Sequence, residues 1–278
     1  MIAICGDVHS FFELLVDYSK IAKEAGCSAM IQVGDFGVSP QAINDLKAKS
    51  LYPRIPVFVI AGNHEYFDMW EGFEGVKEVM HNVFFVQKGH IMKLDGLNVL
   101  FFGGASSIDK AYQGSAWDWR EDIQPSDVER FRKNRAKMDG NIDLMIAHVP
   151  PKGVIDRNFD PKNKLAFGVP IYWQDKSAPI IEDVWNQVGN PPLCVGHMHR
   201  KVIDGNCRIL DINEMIFYPP APLLSAEEAN AQMSPEVRAL QKERLDDLES
   251  VRKSRIIPSM NEPEPWEHPM SYNHPLSK

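Results

Sequence analysis

The hydrophobic pattern opens as alternating strands and helices. Residues 1–5, 29–33 and 56–60 are short, nearly continuous apolar runs, as expected of strands buried on both faces. Between the first two, Leu14, Leu15, Tyr18 and Ile21 recur on one helical face. Ser10 and Glu13 form an S-x-x-E capping box ahead of that helix, and Gly26 supplies its stop. Ser39-Pro40 starts a second helix reaching about residue 50, with proline in the first turn, where a missing N–H is tolerated. Residues 82–86, 90–94 and 97–102 are β-branched or aromatic runs, the last two joined by the hairpin signal Asp95-Gly96. Helices are expected at 126–138 and 179–188. Strands are expected at 142–147, 193–195, 201–204 and 207–212, with Asp204-Gly205 as a second hairpin turn. The polar stretch 156–177 has no clear period and is long for a connection, so it reads as a functional or mobile loop. This alternation predicts a layered α/β domain.

The pattern changes at Pro219-Pro220-Ala221-Pro222, dividing the chain into a domain at 1–219 and an extension at 220–278. In the extension, Val237, Leu240, Leu245, Leu248 and Val251 share one side of a helix at 235–254. Such a helix docks on the domain or on a partner and suggests self-association. The prolines beyond Ile257 predict an extended tail. With 44% hydrophobic residues the chain can build a real core, yet no apolar run approaches the ~18 residues of a membrane span. The first residues lack a basic region and a cleavage site, so no signal peptide is expected. A formal charge of -8 argues against a broad basic face for duplex nucleic acid or anionic lipid. Cys5, Cys27, Cys194 and Cys207 form no C-x-x-C pair and read as structural thiols in a reducing cytoplasm.

The chemistry lies in five short clusters, each following an expected strand: Gly6-Asp7-Val8-His9, Gly34-Asp35, Gly62-Asn63-His64-Glu65, His148-Val149-Pro150-Pro151 and Gly196-His197-Met198-His199. Sites in open α/β sheets form at the carboxyl ends of strands, so clusters far apart in sequence can converge at one edge. Asp7 with His9, and His197 with His199, stand two residues apart. In extended chain such residues project to one side, so either pair can reach one metal or two adjacent metals. The glycines before Asp7, Asp35, Asn63 and His197 permit sharp turns there. A set of Asp and His with one Asn and no thiolate suits manganese, iron, zinc or nickel better than a closed structural zinc site.

In order along the chain these clusters read D-x-H, GD, GNH(D/E), a lone His and GH-x-H, and in this the sequence resembles the calcineurin-like metallophosphoesterases over roughly its first 215 residues. The resemblance implies a four-layer α/β/β/α sandwich, here with a C-terminal helical extension. It also implies a dinuclear site for two divalent transition metals, manganese favoured over iron, zinc or nickel. Asp7, His9, Asp35 and His199 would hold one metal, and Asp35, Asn63, His148 and His197 the other, with Asp35 bridging. His64 would be the general acid beside the leaving group, with Glu65 orienting it. Two such metals can clamp a phosphoryl group and activate a bridging hydroxide for in-line attack. The expected activity is therefore hydrolysis of a phosphomonoester or phosphodiester, small or nucleotide-like. A nuclease, a protein phosphatase or a metal-binding scaffold that has lost catalysis are the alternatives.

Departures from the pattern narrow this. Protein phosphatases of the superfamily extend the second motif to GD-x-x-D-R-G. Here Val38, Ser39 and Pro40 stand at the last three positions, without the arginine that would grip a phosphoprotein's phosphate. The acidic balance weighs against a nuclease, and retention of His64 against a scaffold. By analogy with small family members, Asp109, Lys110 or Arg120 are candidates for substrate contact, and the loop at 156–177 for specificity. Trp117-Asp118-Trp119 reads as packing before it reads as a lid. His81, His90, His268 and His274 match no motif, and Arg130, Arg132, Lys133 and Arg135 form the wet face of a helix.

Overall fold

A computed structural model describes residues 1–114 and 117–219. The expected helix at 235–254 and the proline-rich tail lie outside the described residues. In chain order the elements are β1 (Ile2–Cys5), α1 (Phe12–Glu24), β2 (Ala29–Gln32), α2 (Pro40–Ala48), β3 (Val57–Ile60), β4 (Val76–Met80), β5 (Val83–Val86), β6 (His90–Leu94), β7 (Leu97–Phe102), α3 (Lys110–Gln113), α4 (Pro125–Ala136), β8 (Leu144–Ala147), α5 (Lys152–Asn158), α6 (Ser177–Gln187), β9 (Leu193–Val195), β10 (Val202–Asp204), β11 (Cys207–Ile209) and β12 (Met215–Tyr218). They build two six-stranded sheets, ordered β12-β1-β2-β3-β5-β4 and β10-β11-β9-β8-β7-β6. The inner strands run parallel, β1 beside β2 beside β3 in one sheet and β8 beside β9 in the other. The edge strands β12, β4, β10 and β6 pair antiparallel.

Period-two alternation of side chains sorts the core into layers. From β1, Ala3 and Cys5 face Phe12 and Leu15 of α1 and Ile43 and Leu46 of α2. Ile2 and Ile4 face the other way, against Phe101, Leu144 and Ile146 of the second sheet. That sheet turns Leu100, Phe102, Met145 and Ala147 outward onto Phe131 of α4 and Ile181 and Val184 of α6. The result is the four-layer α/β/β/α sandwich, and it explains why the inner strands read as unbroken apolar runs. Two strands escape the sequence pattern. β4 carries Lys77 and Glu78 and a register irregularity at Glu78/Met80, and β12 is half-buried throughout. Edge strands face solvent on part of their surface, so neither shows a clean run.

The helix starts divide in the same way. Ser39 caps α2 as expected, its hydroxyl accepting from the Ala42 N–H at 3.0 Å with Pro40 in the first turn. The Ser10–Glu13 capping box does not form. Ser10 is left-handed, with φ 69°, and its hydroxyl donates to the Gly37 carbonyl at 2.7 Å, so α1 begins at Phe12 without a side-chain cap. A capping residue needs an extended backbone; here the backbone is bent to turn His9 back toward the sheet edge. The stretch 156–177 is only partly irregular. It contains the end of α5 and a 3-10 turn at Pro161–Phe167, pieces too short to carry a helical period.

All four cysteines are free and buried. Burial pushes the Cys194 and Cys207 thiols up to about 12, and the Cys5 thiol rises as well. Above about pH 9 the unfolded chain loses these protons while the native chain keeps them, so stability falls as pH rises. Lys88 opposes this in part. Its ammonium donates to the carbonyls of Arg120, Glu121 and Asp122, yet burial holds it down to about 8, so between pH 8 and 10 the native chain gives up that proton first and stability gains. Three protons against one predict a net loss of stability above pH 9, at about 1.4 kcal/mol per net proton per pH unit. Urea midpoints should drop between pH 9 and 10.5, and Cys194→Ala should shallow the drop.

Candidate metal centre

The loops after β1, β2 and β3 of one sheet and after β8 and β9 of the other carry the five clusters, all at the carboxyl ends of parallel strands. The turns are tight. His9, Asp35, His197 and His199 are left-handed, with φ of 42°, 54°, 66° and 48°. The extended-chain account of the i, i+2 pairs is therefore corrected: a left-handed residue folds the chain back instead of alternating. Asp7 and His9 reach one cluster, whereas His197 and His199 separate, His199 toward Asp7 and His197 toward Asn63. Four non-glycine residues in this region cost of order 1–3 kcal/mol each, and such strain gathers at functional sites.

The glycines act mainly by absence of a side chain. A Cβ at Gly62 would stand 2.1 Å from Asp35 Oδ1, and one at Gly196 would stand 1.9 Å from Asp7 Oδ1. Only Gly34, with φ 106°, also needs the glycine conformation, and its Cβ would meet His148 Nδ1 at 2.4 Å. Gly62→Ala or Gly196→Ala should therefore weaken metal retention on the order of 10²-fold by displacing a carboxylate by an ångström or more. Bound metal after gel filtration, with circular dichroism as the check on folding, measures this.

Asp7, His9, Asp35 and His199 each offer a ligand atom, and these atoms lie within 4.8 Å of one another. His9 Nε2 is 2.9 Å from His199 Nε2, and His199 Nε2 is 3.2 Å from Asp7 Oδ2. Beside them, His148 Nε2 and His197 Nδ1 lie 3.1 and 3.0 Å from Asn63 Oδ1. Asp35 faces both groups: Oδ2 is 3.8 Å from His9 Nε2, and Oδ1 is 3.3 Å from His148 Nε2. Its Oδ1 also accepts from the N–H groups of Asn63 and His64, at 2.9 and 3.0 Å. The His64 ring is half-buried at the rim, 5.9 Å from that of His9.

The donor set fits cations. His148 Nδ1 is 2.8 Å from the Val33 carbonyl, which only accepts, so the proton of a neutral ring sits there. Nε2 then aims a lone pair at Asn63 Oδ1 and Asp35 Oδ1, two further acceptors. Only a proton or a metal ion reconciles the three. Asp7 Oδ1 is likewise buried with no hydrogen-bond partner. The electrostatics agree. Burial would raise the Asp35 carboxyl, but the imidazoles of His148, His64 and His9 hold it well below the usual carboxylate range. Burial disfavours charge on His148, yet Asp35 and Asp7 lift it to about 9. Burial and the neighbouring His148 keep His197 neutral, as a ligand must be.

Three expectations about neighbouring residues change. Glu65 does not orient His64: its carboxylate accepts from the N–H groups of Phe36, Gly37 and Gly62, at 2.8, 3.0 and 3.1 Å, bracing the Asp35 turn against the Gly62 turn. Burial pushes it up to about 7. Arg120 is not free for a substrate, since its guanidinium is held by Asp118, Glu71 and Asp68. Lys110 lies over the Trp117 ring, 3.3 Å from its centre. Sequence reasoning also missed Asp175, whose buried carboxylate accepts from Ser106, Ser177 and Ala178 N–H and lies 3.6 Å from His197 Nε2. A carboxylate on that side favours the tautomer with its proton on Nε2 and leaves Nδ1 for a metal. Glu121, 2% exposed, is the other missed acid. Nothing in the spacing of the Trp-Asp-Trp-Arg-Glu-Asp run separates it from surface charge.

A family model described as calcineurin-like phosphoesterase matches residues 1–201. No curated protein matches the chain. Among solved structures, one crystal structure is similar at 15% identity, covering 77% of this chain and 90% of that one with a TM-score of 0.46. A second, described as a novel archaeal phosphodiesterase, is similar at 12% identity over 77% of this chain and 83% of that one, with a TM-score of 0.33.

Proposed function

The chain belongs to the calcineurin-like phosphoesterases, and from that premise we propose that it is a dinuclear metal-dependent hydrolase of a small or nucleotide-like phosphomonoester or phosphodiester. The observation that carries the proposal is the division of Asp35 between two ligand groups, one oxygen toward each. Asp7, His9, Asp35 and His199 would hold one divalent ion. Asp35, Asn63, His148 and His197 would hold the other, with manganese favoured over iron, zinc or nickel. When bound, the ions supply Lewis-acid stabilisation of a phosphoryl group and lower the pKa of water.

The chain's own residues do the rest. Asp7 and Asp35 are the charged ligands, so two divalent ions leave the edge positive and able to attract a phosphate. His64, tethered through its N–H to Asp35 and open to solvent at the rim, would hand a proton to the leaving oxygen as it departs. Ser39 stands where a phosphoprotein phosphatase has arginine, and it is committed to capping α2, which favours a small ester.

We assign catalysis to residues 1–219 and treat 220–278 as an extension through which the chain self-associates. Four buried free thiols support a reducing, cytoplasmic setting. Among the described residues, no helix is long and apolar enough to cross a membrane.

The test is a panel of aryl phosphate, diaryl phosphate, cyclic nucleotide and single-stranded DNA, assayed with added Mn²⁺. Turnover of one of the first three supports the proposal. Cleavage of DNA alone moves the reading to a nuclease, and silence on all four moves it to a scaffold.

A further inference from the structure

We propose that Glu121, acting through Ser107, is a positioning residue that decides which end of the Asn63 carboxamide faces the metal centre. The inference rests on reading Asn63 as a ligand. A carboxamide has two ends of nearly equal size, and only its oxygen can hold a cation. Asn63 Nδ2 donates to Ser107 Oγ at 3.0 Å. A hydroxyl can donate or accept, so Ser107 alone would receive either end of the amide. The choice is made one bond further away. Ser107 Oγ donates to Glu121 Oε2 at 2.6 Å, and a carboxylate only accepts. With its one proton committed there, Ser107 presents only lone pairs to Asn63. Asn63 must give its NH₂ to Ser107, which turns Oδ1 toward His148 and His197.

Glu121 is itself held as an acceptor. The Ser107 N–H and the Trp117 indole N–H both donate to its Oε1, each at 2.8 Å, and neither can accept. Asn63, Ser107 and Glu121 are 6%, 3% and 2% exposed, so bulk water does not reach the chain to scramble its direction. The donations converge on Glu121: the Trp117 indole, the Ser107 N–H and the Ser107 hydroxyl all donate to it, and Asn63 donates to Ser107. Groups that orient a metal ligand from behind typically change metal affinity 10- to 100-fold when removed.

The experiment is calorimetric titration of the metal-stripped full chain with Mn²⁺. Ser107→Ala should weaken one of the two equivalents ~10- to 100-fold and leave the other unchanged. Should that variant fail to fold, Glu121→Gln serves. Its amide can donate to Ser107, freeing the hydroxyl proton for Asn63 and allowing the flipped amide, so the same single equivalent should weaken. In an Asn63→Asp background both ends of the side chain are oxygen, and the penalty of either change should vanish. Unchanged affinity for both equivalents overturns the proposal. So does equal weakening of both, or a penalty that persists in the Asn63→Asp background, since each marks a merely structural role. A native chain that binds two equivalents but hydrolyses no phosphoester overturns the phosphoesterase reading and leaves this one standing. A native chain that binds one equivalent overturns both.

Discussion

Asp35→Ala is expected to empty both metal positions at once and to cut hydrolysis ~10³-fold or more. The size of the effect follows from what the carboxylate does. Its two oxygens face different ligand groups, and Oδ1 also anchors the Asn63 and His64 N–H groups. Removing it deletes one of only two charged groups proposed to hold the ions and releases the turn that carries Asn63 and His64. It also removes the main charge that lifts His148, so the proton that balances the metal-free site is lost with it. Metal content by elemental analysis, beside turnover of an aryl phosphate, reads the result. An alanine variant that keeps both ions contradicts the bridging assignment.

His64→Ala is expected to separate binding from chemistry. The ring touches neither ligand group by a hydrogen bond, so both metal equivalents should be retained. Turnover of esters with poor leaving groups should fall ~10²- to 10⁴-fold, the ordinary worth of a positioned proton donor. An aryl ester that leaves as a stabilised phenolate needs little protonation and should lose much less. The ratio of the two losses is the measurement. Equal losses for alkyl and aryl esters would mean that His64 serves position and not proton transfer.

What the sequence could reveal here divides along physical lines. The inner strands were legible because burial on both faces leaves an unbroken apolar run, as in Ile2–Cys5 and Leu144–Ala147. The eight candidate site residues were legible because each falls in a short cluster just after such a run. Asp7, Asp35, Asn63 and His197 directly follow a glycine, His9, His64 and His199 come within two residues of those, and His148 precedes Val149-Pro150. Their geometry was not. A left-handed φ at His9 or His199 leaves no mark in a D-x-H or H-x-H spacing. The glycines suggested sharp turns, whereas Gly62 and Gly196 matter because a methyl group there would strike a carboxylate. Glu121 and Asp175 were hidden because burial of an acid depends on donors brought from elsewhere. Ser107 and Trp117 supply them for one, and Ser106, Ser177 and Ala178 for the other. Edge strands β4 and β12 were lost to partial exposure.

Stoichiometry coupled to activity tests the central claim most directly. Mn²⁺ is added stepwise to the metal-stripped chain while hydrolysis of a diaryl or aryl phosphate is followed. The account predicts no turnover without metal, two equivalents bound, and activity that rises with the second equivalent and saturates there. Full activity in the stripped chain, or saturation after one equivalent, would contradict it.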